Sequence, residues 1–207
     1  MLNRNPNLND VSRMKKSMNA FTAFLVFSSS LNAYEPMQQK TPVGEIQILR
    51  LPVRVALETH SEVSYFQADN GLFRNLFRYI NANDISMTTP VEAEINPGSM
   101  RFFVGKRDQL KAIQSTSAVE VKKIDPLVVL AIGIRGSYSE DRFRKSQKRL
   151  LSWINKNEKY EAVAEAYAVY WNGPFVPGFF KRSEVHLPIR KKNTDRQKPN
   201  LKIDTTR

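Results

Sequence analysis

An α+β fold, a distorted antiparallel β-barrel or sheet made from two β-α-β-β repeats with two helices, is predicted by three observations in this 207-residue chain. Two strand-like runs, each interrupted by a proline, stand at the same place ahead of two amphipathic helices. The two helices end on matching residues, and a pair of strands follows each.

Residues 48–57 read as a strand with a turn or bulge at Pro52, because proline has no N–H to give a sheet ladder. Residues 121–130 read the same way around Pro126. The first helix is expected over about 69–81, where Leu72, Phe73, Leu76, Phe77 and Ile80 recur at helical spacing. The second is expected over about 139–156, with Phe143, Leu150, Leu151 and Ile154 on a comparable stripe. Their ends match directly: Tyr79-Ile80-Asn81-Ala82-Asn83 against Trp153-Ile154-Asn155-Lys156-Asn157.

Two strands then close each unit. In the first copy they are 86–95 and 100–104, joined at the turn signal Asn96-Pro97-Gly98. In the second they are 162–170 and 184–189, joined by a longer loop rich in Pro, Gly and Phe over 171–183. The repeats cover about 43–105 and 119–190, and two helices laid on antiparallel strands make an α+β architecture.

The ends of the chain read differently. Lys15 and Lys16 precede the apolar run 20–27, and small residues lead to a plausible cut after Ala33. That order predicts a signal peptide over 1–33, with Met14 as an alternative start, and hence an extracytoplasmic, periplasmic protein. The run is too short to remain as a membrane span. The folded domain is expected over 34–190, and 191–207 as a basic, disordered tail without apolar periodicity.

The net charge of +12 belongs mostly to these ends. The central region is nearly balanced, which argues against a nucleic-acid partner, whose phosphates would require basic side chains on the folded body. The absence of cysteine excludes disulfides, thiolate metal sites and cysteine nucleophiles. No nucleophile elbow, Gly-rich phosphate loop or metal-spaced His/Glu cluster is present, so no enzyme is expected. The carboxylate pairs Glu92/Glu94 and Glu161/Glu165 alternate as on the solvated face of a sheet.

Met87-Thr88-Thr89-Pro90-Val91, after the first helix, resembles the Met-Thr-(Ala/Val)-Pro-Val segment of the SOUL/heme-binding protein family. The run Tyr170-Trp171-Asn172-Gly173-Pro174-Phe175, then Pro177 and Lys181-Arg182-Ser183-Glu184-Val185, is similar to that family's late Pro-rich loop and final strand. The resemblance covers about residues 43–190. It implies a two-repeat distorted barrel, related to bacterial effector-binding domains, that holds heme or another tetrapyrrole without a covalent bond. The ligand would lie in a cleft between the first helix and the late loop, and a carrier or buffer role is implied.

A tetrapyrrole is an apolar disc with carboxylates on one edge, so it needs an aromatic slot with cations at the rim. Phe73 and Phe77 on the first helix and Phe175, Phe179 and Phe180 on the late loop are the slot candidates, although Phe73 and Phe77 also fit the helix's core stripe. Arg74, Arg78, Lys181 and Arg182 are the rim candidates. For an axial ligand only His186 and His60 offer imidazole, Met87 and Tyr79 being weaker options, and capture without protein ligation is expected. The partner is then a small-molecule tetrapyrrole, bound by a monomer. The alternatives are a module of the same fold for another small apolar ligand, or a surface interaction protein using its basic tail on anionic lipid or polymer.

Overall fold

The computed structural model describes residues 34–67, 71–173 and 175–192. The expected signal peptide (1–33) and most of the expected tail (193–207) lie outside the described residues. The elements are β1 (Glu35–Pro36), β2 (Ile46–Leu51), β3 (Arg54–His60), α1 (Leu72–Ala82), β4 (Thr88–Thr89), β5 (Val91–Glu94) and β6 (Ser99–Phe103). They continue as β7 (Glu120–Ile124), β8 (Leu127–Arg135), α2 (Glu140–Asn155), β9 (Tyr160–Ala162), β10 (Tyr167–Tyr170) and β11 (Arg182–Lys191).

The main sheet runs β2-β8-β11-β10-β5-β6-β3-β7, antiparallel throughout and strongly curled into a half-barrel. Exchange β2 for β7, β3 for β8, β5 for β10 and β6 for β11, and the order reads the same from the other end. The doubled unit is therefore built into the pairing itself, with β5 and β10 as its centre.

The prolines do more than bend a strand. Each expected run, 48–57 and 121–130, is two strands rather than one. On either side of Pro52-Val53, β2 pairs with β8 while β3 pairs with β6 and β7. On either side of Asp125-Pro126, β7 and β8 part in the same way. A residue that cannot donate to a ladder ends the pairing and lets the chain cross to the other half. Pro90 likewise separates β4 from β5 within 86–95, and of the expected 162–170 run only 167–170 is β10, Ala162 being the end of β9. The final strand is longer than expected: Arg190 and Lys191 pair with Glu161 and Tyr160 of β9, so the fold reaches past residue 190.

Both helices start where local chemistry allows. Gly71, at φ 68°, takes the left-handed turn before α1, a conformation that costs a side chain strain. Ser139 caps α2, its hydroxyl accepting from the Arg142 N–H. One face of the sheet meets the helices in the main core, where Leu57, Phe102, Leu130 and Ile132 pack with Leu72, Leu76, Ile80 and Leu150.

The opposite face is polar and buried. Arg54, Glu58, Glu92, Glu184 and His186 all lie there, shielded by the curl beside a small cluster of Leu51, Val129, Tyr167, Val169 and Trp171. Glu92 thus corrects the expectation of a solvated carboxylate pair: it is 2% exposed and meets Arg54 at 2.6 Å, while Glu94 binds Arg101. An ionised carboxylate survives burial only with such a partner. Glu161, from the other pair, meets Arg190 on the surface.

Candidate functional site

The slot begins on α1. Leu72, Leu76, Tyr79 and Ile80 fill the core, whereas Phe73 and Phe77 are 38% and 44% exposed. The apolar stripe is wider than the sheet can cover, and residues 73 and 77 sit one step round from 72 and 76. Their rings stack on each other, centroids 5.7 Å apart at 14°, and Phe73 meets Phe102 edge-on at 5.4 Å.

Beside them is a wall of aromatic side chains. Tyr65 stacks on Tyr170 at 5.5 Å, Tyr170 meets Tyr138 at 4.3 Å, and Phe66 leans on Phe143 of α2 at 5.9 Å. Tyr65, Phe66, Leu72, Phe73, Met100 and Tyr138 line a cleft of about 510 Å³, within the range of small-molecule sites, about 300–1,000 Å³. Phe73 also belongs to a narrower recess of about 50 Å³, shared with Phe77, Met87, Tyr170 and Trp171. Tyr138 fixes this wall to the late loop. Its hydroxyl touches the carbonyls of Asn172 and Arg182 at 3.0 and 3.1 Å and accepts from the Asn172 N–H at 3.0 Å. Burial pushes that phenol up to about 12, so it stays a neutral hydrogen-bonding group.

Of the expected rim cations, Arg74 lines the cleft and Arg78 stands exposed one turn along α1. Lys181 places its ammonium 5.0 Å from the Tyr138 ring centre. Arg182 does not join them. It alternates with Ser183 onto the polar face of β11, where its Nη2 donates to the Thr41 carbonyl at 2.9 Å. The loop phenylalanines line neither the cleft nor the recess: Phe175, Phe179 and Phe180 are 97%, 68% and 60% exposed. Of the expected residues, Phe73 and Arg74 line the cleft, Phe77 lines the recess and Lys181 sits against Tyr138; Arg78, Arg182 and the three loop rings line neither cavity.

Neither histidine faces the cleft. His186 is fully buried on the polar face, its Nε2 2.9 Å from Glu184 and its Nδ1 3.3 Å from the Tyr167 hydroxyl. Burial pushes the Glu184 carboxyl up, but bonds from His186 and Thr41 outweigh it and hold the acid below its ordinary range. His60 stands at the end of β3 near Glu58 and Glu120, a trio whose ligand atoms lie within 4.8 Å of one another. Lys122 already meets both carboxylates there, at 2.8 and 3.0 Å, and supplies the charge a metal would bring. Tyr79 gives its hydroxyl to the Gln114 carbonyl. Met100 in the cleft and Met87 in the recess are the soft donors nearest the aromatic wall. The cleft lining offers the aromatic surface and the cation, Arg74, that a heme disc would need, and no histidine.

Tyr65, Phe66, Tyr138 and Tyr170 were not among the expected site residues. For Tyr65-Phe66 the signal was the one applied to the late loop, adjacent aromatics in a segment without periodicity. Tyr138 carried no such signal, because its role comes from pairing across the fold.

The family model described as SOUL heme-binding protein matches residues 13–188. Among solved structures, the C-terminal domain of EcmrR is similar at TM-score 0.58 and 14% identity, over 72% of this chain and 98% of that one. A protein from Listeria innocua described as a hydrolase is similar at TM-score 0.51 and 10% identity, over 72% and 94%. At such identities these two share the fold. A search of curated proteins finds no match.

Proposed function

Because the chain belongs to the SOUL heme-binding protein family, we propose that it captures heme or a related tetrapyrrole, without a covalent bond, in the α1 cleft. The observation that carries this reading is the stacked, exposed Phe73–Phe77 pair on α1, whose Phe73 lines one cleft with Tyr65, Phe66 and Tyr138. Flat apolar ligands bind by such surfaces. Arg74 in the cleft lining and Lys181 beside Tyr138 are the cations that would pair with propionates, and the site holds its ligand by apolar contact rather than by an iron–histidine bond.

The chain acts as a carrier or buffer rather than an enzyme. Among the described residues the buried carboxylates Glu58, Glu92, Asp108 and Glu184 are all held in ion pairs or hydrogen bonds, the three glutamates on the sheet face away from the cleft. The basic-apolar-small order of residues 14–33 supports export, and mass spectrometry of the mature protein should then find its N-terminus near Tyr34. An unprocessed N-terminus in the cytoplasmic fraction contradicts export.

Titration with hemin, followed at the Soret band, tests the binding reading. Replacing Phe73 and Phe77 together by Ala removes about 80–100 Å² of apolar contact, about 2 kcal/mol or a thirtyfold loss of affinity. His186→Ala and His60→Ala should leave the Soret position unchanged. Hemin that binds the Phe73/Phe77 variant normally, or loses its Soret shift with either histidine, refutes the α1 site.

A further inference from the structure

The late loop carries three phenylalanines that the cleft does not use. Phe175, Phe179 and Phe180 are among the most exposed large apolar side chains of the described residues, and the Phe179 and Phe180 rings lie 4.3 Å apart. A clustered, exposed aromatic surface on a folded body calls for a partner.

The knuckle that presents them is preformed. Residues 178–180 make one 3-10 turn, with the Phe180 N–H bonded to the Pro177 carbonyl and the Lys181 N–H to that of Gly178. Gly178 sits so close to Ser137 that a Cβ would lie 2.1 Å from its hydroxyl oxygen. The base of the loop is closed by the Arg182 N–H on Asn172 Oδ1 at 2.7 Å and by the Tyr138 bonds already described. The rings therefore project from a fixed base.

Cations gather at that base. The Gly136 N–H bonds the Lys181 carbonyl, and the Arg142 guanidinium, packed against Gly136, reaches the Arg135 carbonyl at 3.2 Å. Of the two acids that open α2, Glu140 is paired with Arg144, leaving Asp141 against the half-exposed Lys181 and the exposed Arg142. The whole chain adds its net +12.

The geometry points to peripheral docking on an anionic lipid bilayer: Phe179, Phe180 and Phe175 enter the headgroup boundary while Lys181 and Arg142 meet lipid phosphates. Free phosphate would satisfy the cations but leave the rings in water; a bilayer surface satisfies both. No helix among the described residues is long and apolar enough to cross a membrane, and the contact proposed is by the loop tip. It places the α1 cleft near the phase into which an apolar ligand partitions.

Flotation of the full chain with vesicles tests this. Vesicles of phosphatidylcholine with phosphatidylserine should carry the protein, those of phosphatidylcholine alone much less, and added salt should release it. Phe179→Ser with Phe180→Ser should lower the partition about tenfold or more, since each buried ring contributes apolar transfer energy. Leu110→Ser, at an equally exposed but solitary position, should leave it unchanged. Phe179→Trp should be quenched by brominated lipid. Equal partition of the double Ser variant and the original chain, with no quenching, means that the basic termini bind alone and overturns the proposal. Absence of flotation also overturns it and assigns the knuckle to a protein partner. Hemin affinity of the double Ser variant should match the original, so this test and that of the α1 cleft fail separately.

Discussion

The two helices are copies of one element used in two ways. Setting Ile154 on Ile80 places Leu150 on Leu76 and Trp153 on Tyr79, positions that face the core in both. The same alignment places Gln147 on Phe73, Lys148 on Arg74 and Leu151 on Phe77. Each helix also borders a cleft of similar size, about 510 Å³ at α1 and about 560 Å³ at α2. The first is lined by Tyr65, Phe66, Phe73 and Tyr138; the second, over Phe143, by Glu94, Asn96, Arg144, Gln147 and Glu165. Duplication preserved the packing face because both halves must bury it. The neighbouring face differs between the copies, and only the α1 copy carries an aromatic surface there.

The largest effects should fall where the copies agree. Leu76 and Leu150 are both fully buried, so Leu76→Ala and Leu150→Ala should each destabilise the protein by about 2–5 kcal/mol in denaturant melts. Similar costs mean the two halves pack alike. A cost confined to one helix would show that the palindromic strand order conceals unequal cores.

The next effect separates the copies. The paired Ala replacement of Phe73 and Phe77 should weaken hemin about thirtyfold, about 2 kcal/mol, while Gln147→Ala with Leu151→Ala should leave hemin binding as it was. Both pairs are partly exposed, so either variant should lose less stability than Leu76→Ala or Leu150→Ala. Equal losses of affinity would place the ligand between the helices, against the Phe66–Phe143 contact.

How much of this was legible in the sequence follows from range. The doubled unit and both helices show in local periodicity, and each boundary falls within a few residues because caps and prolines are local signals. The exchange of β2 and β7 between halves was not legible: Pro52 and Pro126 announce a break without saying where the next strand pairs. Glu92 looked solvated because alternation alone cannot tell an open sheet face from one curled onto itself. In the site, Phe73 and Phe77 were legible as exposed-or-core and the fold resolved them as exposed. The loop phenylalanines were legible as unusual, but their direction depends on the turn at Gly178 and its contact with Ser137. Arg182 was placed at the rim by adjacency to Lys181, yet strand alternation sends neighbours to opposite faces.

The smallest effect concerns the rim, where the copies keep similar charge: Arg74 on α1, Lys148 at the matching place on α2. A propionate held by Arg74 or Lys181 remains partly in water, and an exposed ion pair is worth about 0.2–1 kcal/mol. Arg74→Ala should therefore weaken hemin by no more than about fivefold, which is that upper value converted. Lys181→Ala should act similarly, with a further small loss from its contact with the Tyr138 ring. Lys148→Ala should do nothing measurable, because no aromatic slot lies beside it. Salt distinguishes this from a steric effect. The gap between the Arg74 variant and the original chain should narrow as ionic strength rises, since screening weakens the pair in the original and has nothing to screen in the variant. A gap that stays constant with salt, or a loss as large as that of the Phe73/Phe77 pair, would mean that Arg74 shapes the cleft through its contacts rather than its charge. The contrast between the helices would then rest on packing as well as on aromatic lining.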